Sequence, residues 1–152
     1  LLILEVLDSK AEVKNIKWTI IAGTANQHWQ ALKEFTNHSQ MDITLIKQTN
    51  RIASLMANHD FAIGAAGSMA WERACIGLPS LTIPIEYNQR ISIEHIRHFA
   101  LGETLEVSEI TATTLVIALK QLKHQANDYL ERNHTMVDGL GVARLMKMLS
   151  LN

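Results

Sequence analysis

The stretch from Asp60 to Gln89, DFAIGAAGSMAWERACIGLPSLTIPIEYNQ, constrains the fold of this chain more than any other. In order it sets out a short apolar strand (Phe61 to Gly64), a turn of small residues and a helix (Ser68 to Ile76). A Gly-Leu-Pro stop, a second apolar strand (Leu81 to Ile85) and a polar Asn-Gln pair follow. Gly77 suits a left-handed helix cap, and Pro79 forbids the helix to continue. A strand, a helical crossover and a second strand in so short a span form the unit of a parallel sheet. Sheets of that kind present ligands at the ends of their strands.

The rest of the chain keeps the alternation. Lys17 to Ala22 (KWTIIA) reads as a strand ended by Gly23-Thr24, and Gln27 to Phe35 as a helix with Trp29, Leu32 and Phe35 on one face. Asp42 to Ile46 is a strand, and Ile52, Leu55 and Met56 mark a short helix. After Gln89 the pattern predicts a helix to about Ala100, a strand over Thr104 to Val107 and a helix from Thr111 carrying Leu115, Leu119 and Leu122. A tail helix after Gly139 puts Val142, Leu145, Met146 and Leu149 on one side. Leu1 to Ser9 fits a buried helical turn or a strand, and periodicity does not choose between them. Strands alternating with helices predict an α/β fold: a Rossmann-like parallel sheet flanked by helices, built as one domain over residues 1–152.

Composition narrows the function classes. Fourteen basic and fifteen acidic residues leave a net charge of −1, with no polybasic block, so nucleic acid is not an expected partner. No run of about 18 apolar residues occurs, and no membrane span is expected. One cysteine, Cys75, cannot form an internal disulfide and fits a cytoplasmic location. The opening LLILEVL has no basic region before it and carries Glu5, which makes it a poor signal peptide.

The candidate site follows from the strand ends. Ala65-Ala66-Gly67-Ser68 has almost no side-chain bulk, so its backbone N–H groups can approach a ligand, and the helix N-terminus behind it favours an anion. A phosphate or diphosphate is the natural occupant; tight strand–helix packing alone is the competing explanation. Ser68 can cap the helix or donate to a phosphate oxygen. Glu72, one turn on and on the same face, can accept hydrogen bonds from a ribose diol, or be an exposed helix charge pairing with a neighbour. Asn88 and Gln89 suit sugar hydroxyls or phosphate, and equally suit turn and capping chemistry. Three other features are discounted. Glu94-His95-Ile96-Arg97-His98 lacks the metalloprotease spacing, so no metal site is expected. Cys75 reads as a small core residue, and His28 as a surface residue.

The run GAAGSMAWERACIGLPS followed by IEYNQR resembles the nucleotide-binding half of the pseudaminic-acid-pathway UDP-sugar hydrolases, which are related to spore-coat polysaccharide proteins. More distantly it is similar to the C-terminal domain of the lipid-II-forming N-acetylglucosaminyltransferase, of the glycosyltransferase family 28 C-terminal-like kind. The resemblance is specific around Gly64 to Gln89. It implies the C-terminal half of a glycosyltransferase-B fold, with UDP or a UDP-sugar as ligand and no cofactor. By position, Ala66, Gly67 and Ser68 would face the diphosphate, Glu72 the ribose, and Asn88 and Gln89 the diphosphate and sugar. Ile46, Lys47 and Gln48 would meet uracil through main-chain groups. The implied activity is hydrolysis of a nucleotide sugar with release of UDP. The alternatives are a UDP-sugar-dependent glycosyltransferase and a non-catalytic nucleotide-sugar-binding module. The family's catalytic histidine belongs to an N-terminal domain, so no catalytic residue is expected in this chain, which by itself should be inactive.

The resemblance also implies a strand before LLILEV, central in a doubly wound sheet between KWTIIA and DFAIG. Three arrangements would fill that gap: LLILEV refolds into it, a second copy of the chain pairs there, or the sequence is a piece of a longer protein.

Overall fold

The computed structural model describes residues 1–150, which form two compact units. The first comprises Leu1–Ile52 with Ser108–Ile117. The second comprises Ala53–Val107 and the chain from Ala118 onward.

In the first unit, α1 (Leu2–Asp8) and a 3-10 turn (Ala11–Val13) precede β1 (Lys17–Ala22), α2 (Trp29–His38) and β2 (Asp42–Lys47). Leu1 to Ser9 thus takes the helical option and does not refold into a strand. β1 and β2 pair in parallel, from Lys17 opposite Asp42 to Ala22 opposite Lys47. Leu7, Val13, Ala22, Leu32 and Met41 are buried. The helix expected from Gln27 starts at Trp29, because the Asn26 side-chain oxygen accepts the His28 N–H at 2.8 Å and holds a turn there.

The second unit is built on three parallel strands in the order β3–β4–β5: β3 (Ala62–Ala65), β4 (Ser80–Ile83) and β5 (Glu103–Thr104). β3 meets β4 from Ala62 opposite Ser80 to Ala65 opposite Ile83, and β4 meets β5 at Leu81–Glu103 and Thr82–Thr104. Every residue of β4 is buried, as a central parallel strand covered on both faces requires. Gly102 makes the last pairing feasible: a Cβ there would stand 2.4 Å from the Ser80 carbonyl oxygen. Pairing then stops at Thr104, shorter than the Thr104 to Val107 strand expected.

α3 (Ile52–Ala57) leads to β3, and α4 (Ser68–Ile76) crosses from β3 to β4. Its end follows the sequence closely. Gly77 adopts φ 80°, its N–H reaches the Ala74 carbonyl, and the Leu78 N–H returns to Arg73. After β4, a 3-10 turn (Tyr87–Gln89) opens α5 (Arg90–His98). Ala70 of α4 packs with Ile96 and Leu101, and Trp71 covers them. A 3-10 turn (Val107–Glu109) precedes α6 (Ala112–His124), α7 (Ala126–Met136) and α8 (Gly141–Leu149).

The described strands make two ladders, β1–β2 and β3–β4–β5, and none pairs β1 with β3, where the sequence reading placed the gap. One element was not expected. α7 carries no apolar stripe to betray it: Tyr129 and Asn133 are its buried positions and polar side chains fill most of the rest. The Tyr129 hydroxyl donates to Glu103 of β5, and burial, with this hydrogen bond second, pushes its pKa up. On α8, Val142, Leu145, Met146 and Leu149 are all exposed. No helix of the described residues is long and apolar enough to cross a membrane.

Candidate functional site: the β3–α4 turn and the β4–α5 connection

β3 ends at Ala65 and α4 begins at Ser68, so two residues, Ala66 and Gly67, make the turn. Gly67 is the helix N-cap, and no side chain caps it. The expected capping by Ser68 is therefore not made: Ser68 is already the first helical residue, and its side chain is exposed. The first-turn N–H groups of a helix have no acceptor within the helix, so this end of α4 keeps donors and the positive end of a helix dipole.

Gln89 completes the turn from across the sheet. Its side-chain oxygen accepts the Ala66 N–H at 3.2 Å and the Ile85 N–H at 3.0 Å. Ala66 follows β3 and Ile85 lies just past β4, so one amide bridges two neighbouring strand ends. Double acceptance fixes which way the amide points. Its Nε2 lies on the Gly67 side, where a Cβ on Gly67 would stand 3.9 Å away. Gly67 keeps that approach open. Asn88, beside it in the 3-10 turn, is exposed.

Beneath the turn lies a residue the sequence reading did not single out. Arg73 is 4% exposed. Its Nη2 donates to the Ala65 carbonyl at 3.1 Å and to Thr82 Oγ1 at 3.3 Å. Gly64 makes the space, since a Cβ there would stand 2.6 Å from Arg73 Nη1. Among the described residues Arg73 makes no ion pair, and its Nε has no hydrogen-bond partner. Burial pushes its pKa down to about 10, with the neighbouring Glu72 charge acting the other way, so it stays charged at neutral pH. The signal was available: Ala70, Arg73 and Ala74 share one helical face, and that face is inward. Glu72 is exposed, as the reading of an exposed helix charge has it, and among the described residues it makes no ion pair.

Ile46, Lys47 and Gln48 belong to the other unit and end its ladder. Ile46 is half-buried, and Lys47 and Gln48 are exposed. The Lys47 ammonium stands 5.4 Å from the Trp29 ring centroid. Gln48 sits at φ 65°, and its N–H is already bonded to the Ala22 carbonyl at 3.0 Å. The structure thus brings Ala66, Gly67 and Gln89 into direct contact, sets Ser68 and Glu72 along the helix that follows, and ends a separate ladder with Ile46–Gln48.

The discounted features have ordinary surroundings. His95 lies between Trp71 and Phe99, His98 meets Phe99 edge-on, and His28 is exposed. Cys75 is half-buried against Gly139. No group of three metal-ligating side chains occurs among the described residues.

Comparison with known proteins follows the same lines. The chain is 25% identical over 153 residues to the spore coat polysaccharide biosynthesis protein SpsG of Bacillus subtilis (strain 168), covering 97% of this chain and 44% of that protein. The crystal structure of Acinetobacter baumannii MurG shares its fold, with a TM-score of 0.74 at 13% identity, covering 97% of this chain and 46% of that one. The chain therefore spans less than half the length of these relatives. The glycosyltransferase family 28 C-terminal domain matches residues 2–149. That match overturns the hydrolase expectation: the family is one of glycosyltransferases, and the Gly64 to Gln89 run on which the hydrolase resemblance rested does not specify whether water or an acceptor hydroxyl attacks. With nearly every residue inside the match, the chain belongs to the glycosyltransferase family 28 C-terminal domain family.

Proposed function

We propose that this chain is the UDP-sugar-binding domain of a glycosyltransferase, and that the β3–α4 turn receives the diphosphate. The observation that carries the reading is the junction of Ala66, Gly67 and Gln89. An uncapped helix N-terminus, a glycine that leaves the approach open and an amide with a fixed donor converge there. Glu72, exposed one turn along α4, accepts the ribose hydroxyls, and Asn88 with the Gln89 Nε2 meets the diphosphate and sugar. Ile46, Lys47 and Gln48 supply the uracil contact. Because the Gln48 N–H is already used, the base would be met through remaining main-chain groups and side chains. The printed role of the relative SpsG, in polysaccharide biosynthesis, supports sugar chemistry for the whole protein.

In the transfer, an acceptor hydroxyl attacks the anomeric carbon and the bond from that carbon to the diphosphate oxygen breaks. Negative charge grows on the departing UDP. Donors and a helix dipole already aimed at that charge lower its energy without having to reorganise. The group that takes the acceptor's proton is assigned to residues outside this chain, so the isolated chain binds UDP but does not transfer sugar.

Isothermal titration with UDP, UMP and ADP tests the reading. UDP should bind most tightly, since UMP lacks the second phosphate and ADP the uracil. Equal binding of all three, or none by a folded sample, would overturn it.

A further inference from the structure

Arg73 stands out because a buried cation normally has a counter-charge. Among the described residues it has no ion-pair partner, and the Glu72 carboxylate acts on its charge only from a distance. Its fork is aimed at the turn. Nη2 holds the Ala65 carbonyl, which is one end of the Ala65–Ala66 peptide plane; the N–H at the other end of that plane donates to Gln89. Cation, peptide and Gln89 amide therefore stand in series, each hydrogen-bonded to the next. A charge at the inner end polarises the chain and makes the outer groups stronger donors. In a buried setting that field is weakly screened. Gly64 reinforces the arrangement, since any side chain at that position would drive the guanidinium from its place.

From this series we infer that Arg73 is a positioning residue for the diphosphate, supplying through the Ala65–Ala66 peptide and Gln89 the positive charge that the bound anion meets. The inference rests on the diphosphate reading of the β3–α4 turn. Arg73 does not touch the ligand. It holds the turn from below, and the anion supplies the close counter-charge that no ion pair gives it.

Charge and hydrogen bonding are separated by two substitutions at one site. Arg73→Lys keeps the charge, whereas Arg73→Gln keeps donors without it. UDP affinity is measured by titration at low and high salt, beside thermal unfolding of each variant. Arg73→Gln should lose about tenfold in UDP affinity at low and high salt alike, because a buried charge is weakly screened, and Arg73→Lys should stay within about threefold of wild type. Equal losses in the two variants would mean a purely structural role, and no loss in either would mean none; both outcomes overturn the inference. Should Arg73→Gln fail to fold, Gly64→Ala displaces the guanidinium while keeping its charge. Weakened UDP binding by the folded Gly64→Ala variant supports the inference, and unchanged binding overturns it. A wild-type chain that binds no UDP removes the diphosphate reading itself. Wild-type binding with unaltered variants removes only the role of Arg73.

Discussion

Two ladders end in this molecule, and their ends are built differently. β1–β2 runs out into Lys47 and Gln48, both exposed, with Lys47 lying over Trp29. β3–β4 runs out into Ala66 and Ile85, whose N–H groups share one side-chain oxygen, above a buried guanidinium. The first end has long side chains and a partly used backbone. The second has almost no side chains, and a brace holds its backbone. On the function proposed above, the two ends would serve two kinds of recognition. A diphosphate needs close, fixed donors and positive potential, whereas a flat base can be met by an exposed edge. The strands behind them differ too: β4 is buried at every position and β1 is mostly half-exposed.

The largest expected effect tests the strands. Leu81→Ala, at a position with no exposure in β4, should destabilise the fold by about 2–5 kcal/mol. Ile21→Ala, 38% exposed on β1, should cost roughly 1 kcal/mol or less. Urea unfolding of both variants measures the difference, and similar costs would erase the contrast between the ladders.

Next comes the brace. A carboxylate in Gln89→Glu can still accept from Ala66 and Ile85, so thermal stability should hold. It removes the Nε2 donor and adds negative charge, so UDP affinity should drop by roughly 2 kcal/mol. A drop in stability with affinity intact would make Gln89 a strand-end brace and nothing more.

Glu72→Ala should weaken UDP by about 1–3 kcal/mol, the range for hydrogen bonds to a charged group, with little change in melting temperature. Its carboxylate is exposed, so its removal costs the fold little. If stability falls and affinity does not, the ribose assignment is wrong.

The smallest effect belongs to the other ladder. Lys47→Ala removes an exposed cation–π contact and should alter UDP affinity or stability by less than about 1 kcal/mol, the range for such contacts at exposed sites. A larger loss of affinity would move Lys47 from the base to the phosphates and break the division of labour between the two ends.

Much of this was legible before any coordinates. The β3–α4–β4 unit follows from apolar runs bounded by Gly and Pro, because such punctuation acts locally on φ and on the N–H supply. Gly77 at φ 80° and the stop at Pro79 fall where the residues place them. The small-residue turn and Gln89, both singled out in the sequence, come together in the structure, since bulk and donor type are properties of single residues. α7 was not legible, because a helix carried mostly by polar residues shows no period. Ser68 as cap was misplaced by one residue, because Gly67 can end a helix as well as a hydroxyl residue can.

What the sequence by itself determined is the class: parallel strands crossed by helices, a small-residue turn at a strand end, and a run that resembles a known family. What only the tertiary structure decided is how the turn is held. The Ala66 and Ile85 N–H groups lie nineteen positions apart in the chain, and meet one oxygen only because β3 and β4 pair in register. Arg73 is an ordinary helix residue until Gly64, Ala65 and Thr82 close around it. Local steric rules write themselves into the residues that obey them. A contact between distant segments depends on register and packing, and no single residue carries that information.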